Sequence, residues 1–269
     1  MIRKTIHGVD VPSLGFGTYR LTGGACRRGV VDALEMGYRH IDTAQIYGNE
    51  NEVGEGLREA DVDRGDVFLT TKVWMDSLAP LDVRATTEES LARLQTDYVD
   101  LLLIHWPGPD MNLAETLAAM SALQEEGKTR HVGVSNFTSG LMKEALRHAP
   151  IFCNQVEYHP YLEQDLLLEL CRANDILMTA YCPIARGKVL RDDVLRDVAS
   201  EYGKSAAQVA LRWLVQQDHV AAIPKASSSD HRRENLDIFD FELSDEDMER
   251  ISSLARDMRL VEPSWAPAW

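Results

Sequence analysis

The chain has 269 residues, 45% hydrophobic and 26% charged, an ordinary globular balance that excludes fibrous and disordered classes and allows one large domain or two small ones. Its formal charge of −15, from 43 acidic against 28 basic side chains, opposes recognition of a nucleic-acid backbone, which needs a clustered positive surface. A few local cations and helix N-termini can still hold a small anionic ligand against that mean field.

Taken in chain order, residues 1–12 carry two cations with no apolar run behind them and do not read as a secretory signal. Residues 5–14 read as a small hairpin turning near Gly8, expected to cap the bottom of whatever follows. Eight short apolar runs succeed it, at 14–17, 40–42, 68–73, 99–105, 131–135, 153–157, 176–181 and 221–225, each followed by a helical-looking segment. Apolar residues at three- and four-residue intervals mark helices at 25–36, 114–126 and 206–215. Gly37 and Gly127 fall where helix C-caps belong. None of the apolar stretches approaches the roughly 20 residues a bilayer crossing takes, so no membrane association is expected.

Strands alternating with helices need crossover connections, hence a parallel sheet. Eight such units in this length match a closed (β/α)8 barrel, the TIM barrel. A doubly wound open sheet is the competing architecture, and it would carry GxGxxG after its first strand. Here Gly15 and Gly17 are followed by Arg20 where the third glycine belongs. No Pro-rich or low-complexity linker interrupts the chain, so residues 1–269 read as one domain. Cys26, Cys153, Cys171 and Cys182 form no CxxC pair, which points to free thiols in a reducing compartment, the cytoplasm. With no conspicuous apolar stripe, a monomer is expected.

In a barrel the C-terminal strand ends carry the chemistry. The second run ends in Asp42, the third reaches Lys72, and the fourth ends in His105. The fifth ends in Ser135 and Asn136, the sixth carries Gln155 and Glu157, the seventh ends in Tyr181 and the eighth in Lys225. Seven consecutive polar ends describe a lined mouth. A buried Lys72 would lose its proton unless a carboxylate stood nearby, and Asp42 on the adjacent strand can be that partner; taken alone the pair could equally be an ordinary buried ion pair. Tyr47, five residues after Asp42, can swing over the same mouth. There Lys72 is expected to favour the phenolate and lower a reference pKa of about 10, making Tyr47 a proton donor. His105 could orient the same substrate oxygen. An acid tuned by a cation, without a Ser or Cys nucleophile beside a base, suits carbonyl reduction with hydride from a cofactor. A Schiff-base aldolase acting through Lys72 would need a neutral amine, against which Asp42 argues.

The segments GFGTYR, GYRHIDTAQIYGNE, LTTKVW, DYVDLLLIHWP, GVSNF, NQVEYHPY, AYCPIARG and IPKASS, in this order over nearly the whole chain, resemble the aldo-keto reductase family, especially its short prokaryotic members acting on diketogluconate and methylglyoxal. The resemblance implies a barrel that binds a nicotinamide dinucleotide, usually NADPH, across its C-terminal mouth, and an oxidoreductase acting on CH–OH groups. By motif matching, Asp42, Tyr47, Lys72 and His105 form the catalytic tetrad, with Tyr47 the general acid. Ser135, Asn136 and Gln155 would hold the carboxamide, Tyr181 would stack on the ring so that the pro-R hydrogen is delivered, and the loop from Pro183 to Lys188 would close over the pyrophosphate. At the adenosine end Lys225, Glu234 and Asn235 fall in register, with Ser227 beside them. The usual Ser is Ala226, the usual Arg is His231, and Arg232 stands one position late. Imidazole cannot give a guanidinium's bidentate phosphate contact, so NADPH comes first, carried by Lys225 and Arg232, with NADH use expected alongside. Tyr19, Trp74 and Trp106 join Tyr47 and His105 in an aromatic pocket for small aldehydes and ketones. Residues 260–269, with Trp265 and Trp269, either fold over that pocket or are disordered. The functional alternative is a cofactor-binding regulatory or redox-sensing barrel without significant turnover.

Overall fold

The computed structural model of the protein describes residues 2–269. It opens with the expected hairpin, β1 (Arg3–Ile6) paired antiparallel to β2 (Val9–Pro12). The turn takes His7 at φ 47° and Gly8 at φ 78°, a left-handed pair that glycine makes easier. Then β3 (Phe16–Gly17), α1 (Gly23–Met36), β4 (His40–Asp42), α2 (Glu50–Glu59), β5 (Phe68–Val73) and α3 (Pro80–Leu94) begin the alternation. It continues through β6 (Val99–Ile104), α4 (Leu113–Glu125), β7 (Thr129–Ser135), α5 (Ser139–Ala145), β8 (Cys153–Glu157), α6 (Asp165–Ala173) and β9 (Leu177–Tyr181). Helices α7 (Asp193–Tyr202) and α8 (Ala206–Gln216) precede β10 (Val220–Ala222), and α9 (Ser229–Leu236) and α10 (Asp245–Ser252) follow it.

The eight strands β3 to β10 are parallel and neighbour one another in sequence order. Closure comes from a parallel bridge between Leu14 and Ala222, with Gly15 N–H donating to Ala222 at 2.8 Å and Gly17 N–H to the Pro224 carbonyl at 3.1 Å. The result is a (β/α)8 barrel. The eighth run is shorter than its sequence suggests: β10 stops at Ala222, so Lys225 lies three residues past the strand, in the exposed loop. The crossover helices end where glycine permits: Gly37 caps α1 at φ 106°, and Gly127 follows α4 at φ 74°.

Period-two alternation divides every strand between two cores. Ile41, Leu69, Val73, Leu102, Ile104, Val132, Val134, Val156, Met178 and Ala180 face the helices. Phe68, Leu101, Leu103, Cys153, Leu177 and Ala221 face the interior, where Ile6 and Val11 of the hairpin pack against them. The hairpin therefore plugs the bottom of the barrel. The interior phase, continued along each strand, reaches Asp42, Lys72, His105, Ser135, Gln155, Glu157 and Tyr181 at the opposite end. Among the described residues no helix is long and apolar enough to cross a membrane.

Candidate active site

At this upper end the interior is polar and buried. Lys72 is fully buried, and its Nζ donates to Asp42 Oδ1 at 2.7 Å and to the Thr43 carbonyl at 2.7 Å. The other Asp42 oxygen accepts from Gln155 Nε2 at 2.8 Å. Burial lowers the Lys72 ammonium below its usual value, and the charge of Asp42 with its hydrogen bond offsets part of that shift. Two of the three ammonium donors are thus engaged, one by a carboxylate that favours the charged form, which counts against Schiff-base chemistry.

Tyr47 ends a short 3-10 turn, Gln45–Tyr47, after β4. Two residues that the sequence pattern did not single out fix this turn. Gln45 donates to the Thr86 carbonyl and to Ser90, and accepts from Trp74 N–H at 3.0 Å. Asn49 accepts from Thr43 and donates to the carbonyls of Thr18 and Leu21. The Tyr47 ring stands 5.1 Å from Lys72 Nζ and 5.6 Å, edge-on, from the His105 ring. Here the expected pKa direction is wrong. The Tyr47 phenol is held well above its usual value, first by burial and then by the charge of Asp42. The field of the ammonium is opposed by the carboxylate at 2.7 Å, and desolvation outweighs what is left of it.

His105 is 8% exposed, and burial followed by the Lys72 charge pushes its imidazole well below the usual value. It is neutral at pH 7, and its Nδ1 is buried without a hydrogen-bond partner. Trp74 packs edge-on against His105 at 5.2 Å, Trp265 edge-on against both Trp74 and Trp106 at 5.8 and 4.9 Å, and Tyr19 lies tilted against Tyr47 at 5.0 Å. Tyr19, at the rim, is 52% exposed, and Trp106 is buried. The C-terminal segment is therefore ordered across the pocket; a disordered tail is not what the chain adopts.

Beside this group lies a linked polar chain. Ser135 Oγ donates to the Gln155 carbonyl at 2.8 Å, and Asn136 Nδ2 donates to Ser135 Oγ and to the His105 carbonyl. Tyr181 donates to Asn136 Oδ1 at 2.7 Å. Asn136 is held at φ 62°, a conformation Asn tolerates. Carbonyl oxygens keep a second lone pair after one bond, so this set retains acceptors that a carboxamide NH2 can use. After Tyr181 the backbone is left-handed at Cys182, Ala185, Arg186 and Gly187 (φ 50°, 46°, 53° and 84°), around a buried Pro183. Strain of this kind costs about 1–3 kcal/mol per non-glycine residue and concentrates at ligand clamps. Both features fit a nicotinamide dinucleotide.

The adenosine end departs from expectation at Arg232. That side chain is buried: it is paired with Asp32 of α1 and donates to the Ala226 carbonyl at 3.1 Å. One position along a helix turns a side chain by about 100°, and this step carries Arg232 from the mouth into the α1–α9 contact. The exposed groups there are Lys225, whose Nζ donates to Ser227 Oγ at 2.9 Å, and His231 in the first turn of α9. Asn235 is buried and Glu234 partly so.

The Aldo/keto reductase family model matches residues 13–256. Among curated proteins, the chain is 43% identical to the glyoxal reductase of Bacillus subtilis (strain 168) over 96% of its own length and 94% of that protein's. It is 38% identical to the methylglyoxal reductase DkgB of Salmonella typhimurium over 97% of its length and 100% of that protein's. A crystal structure described as a candidate 2,5-diketo-D-gluconic acid reductase B superposes with a TM-score of 0.98 at 47% identity, covering 100% of this chain and 97% of that one.

Proposed function

The chain belongs to the aldo/keto reductase family, and on that premise we propose that it reduces small aldehydes and ketones to alcohols, with NADPH as first cofactor and NADH also used. The observation that carries this is the convergence of Tyr47, the Lys72–Asp42 pair and a neutral His105 on one aromatic-walled mouth. The names of the glyoxal and methylglyoxal reductases support short carbonyl compounds as the substrate class.

Bound at the mouth, the dinucleotide would supply hydride to the carbonyl carbon. The chain's own groups handle the oxygen. His105, uncharged, would hydrogen-bond and orient it. Tyr47, kept fully protonated by its raised pKa, would give its proton to that oxygen as negative charge develops. The Lys72 ammonium, held beside the ring by Asp42, would stabilise the phenolate left behind until solvent returns a proton. Ser135, Asn136 and Gln155 would hold the carboxamide, Tyr181 would stack on the ring, and the strained loop containing Pro183 would bind the pyrophosphate. Lys225, Ser227, Glu234 and Asn235 would meet the adenosine end.

The test is Tyr47→Phe. Loss of a positioned general acid costs about 10²–10⁴-fold, so kcat/KM in steady-state oxidation of NADPH with a panel of short aldehydes should fall by that factor, while cofactor affinity by fluorescence titration stays within about twofold. A fully active variant overturns the acid role. For the cofactor, Arg232 faces inward and an exposed His231 replaces the arginine of the family motif, so NADPH should be preferred over NADH by less than about a hundredfold in kcat/KM, or about 2.7 kcal/mol. A larger preference measured in parallel assays refutes shared use.

A further inference from the structure

Glu157 is a carboxylate with no exposure, placed by the interior phase of β8 beside the mouth but outside the group just described. A buried carboxylate is costly unless its lone pairs are filled, and here the partners that fill them are distant in sequence. Leu260 N–H donates to Oε1 at 2.7 Å and Val261 N–H to Oε2 at 2.8 Å. His159, equally buried, donates Nε2–H to Oε1 at 2.9 Å; its Nδ1 accepts from Tyr161 N–H, which fixes that tautomer. Just upstream, Arg256 and Met258 N–H both donate to the Tyr161 carbonyl. Four residues beyond the clasp the chain delivers Trp265 edge-on between Trp74 and Trp106.

We propose that Glu157 is a positioning residue for substrate selection: its carboxylate clasps the backbone at 260 and 261 and thereby sets Trp265 as the outer wall of the pocket, restricting it to short carbonyl compounds. The substrate part of this rests on the reductase function proposed above. The anchoring does not. A neutral amide at 157 would turn its one oxygen to the two donors on the Oε1 side, His159 and Leu260, present its NH2 group to Val261 N–H and release that point of the tail. With the tail released, the wall that short substrates lean on is lost, whereas the turn that carries the proton donor and the polar chain keep their own hydrogen bonds.

The experiment compares wild type with Glu157→Gln and, from the tail side, Val261→Pro, which removes the N–H donated to Oε2 while keeping Glu157 itself and covers the case in which the first variant does not fold. Hydrogen exchange should show slow amides at 260 and 261 in wild type, fast exchange at 261 in Glu157→Gln, and fast exchange at 260 in Val261→Pro, where 261 has no amide and the tail has lost its second anchor. In assays, KM for methylglyoxal should rise about tenfold, the scale on which pocket contacts discriminate, with kcat within about twofold and KM for 2-naphthaldehyde unchanged or lower. Adding Trp265→Ala to Glu157→Gln should change nothing further. Unaltered exchange at 261 in Glu157→Gln and at 260 in Val261→Pro, or unaltered selectivity between the two aldehydes, overturns the proposal. A wild type with no turnover but a protected 260–261 refutes the reductase function and leaves the clasp standing.

Discussion

Each residue at the mouth behaves as its neighbours dictate, and the Lys72–Asp42 pair controls most of them. It lies in full burial with hydrogen bonds at 2.7 Å to Asp42 and to the Thr43 carbonyl, so removing one partner strands the other. Lys72→Met should cost about 3–5 kcal/mol in urea unfolding, the usual penalty for an uncompensated buried charge. Asp42→Asn should cost a similar amount. The double variant buries no charge and keeps an acceptor for Gln155, so it should recover most of the loss; additive effects would show that the pair is not coupled. The same pair explains why the Tyr47 pKa was not legible from residue types. A lysine near a phenol lowers its pKa only while its field is unopposed, and that depends on the 2.7 Å partner and on burial, neither of which the spacing of residues reveals.

At the scale of elements, the strand ends were legible because period two is a strong constraint: once Phe68, Leu101 and Cys153 are interior, Lys72, His105 and Gln155 must be too. What stayed hidden depends on geometry between segments far apart. A helix turns by about 100° per residue, so a motif offset of one position sent Arg232 to Asp32 rather than to the mouth. The tail's place depends on Glu157, whose register was plain but whose partners at 260 and 261 were not. Barrel closure is another such contact. A Cβ on Gly17 would meet the Ile223 carbonyl oxygen at 2.7 Å, a backbone atom that cannot rotate away. Gly17→Ala should therefore push β3 off the segment after β10 and destabilise the protein by about 1–3 kcal/mol. The same displacement moves Pro224, which accepts from Gly17 N–H, and with it Lys225, so NADPH affinity should weaken with stability. Unfolding and cofactor titration on one preparation check both, and an unchanged midpoint would show that closure tolerates a methyl group.

For the whole molecule, acidification sets two effects against each other. Protonation relieves the self-repulsion of a chain carrying −15, which favours the compact state. Against it stand His40, His105 and His131, all held below their usual value with burial as the first cause. A histidine with a depressed folded pKa binds its proton more readily when unfolded, so its contribution is fully present above about pH 6.5 and is lost as pH falls. Each proton of difference is worth about 1.4 kcal/mol per pH unit. The repulsion term is spread over the surface and screened beyond about 10 Å at 0.1 M salt, whereas the histidines are inside. The carboxylates held low, Asp32, Glu157, Asp175 and Asp247 among them, act with the same sign but only below about pH 4. The histidine effect therefore governs the interval between pH 7 and 5, and Tm at 0.1 M salt should fall steadily across it. His105→Gln should flatten that slope, because one of the three depressed imidazoles no longer titrates. A Tm that is level or rises on acidification would mean that charge repulsion, not buried imidazole, sets the stability of this barrel near neutral pH.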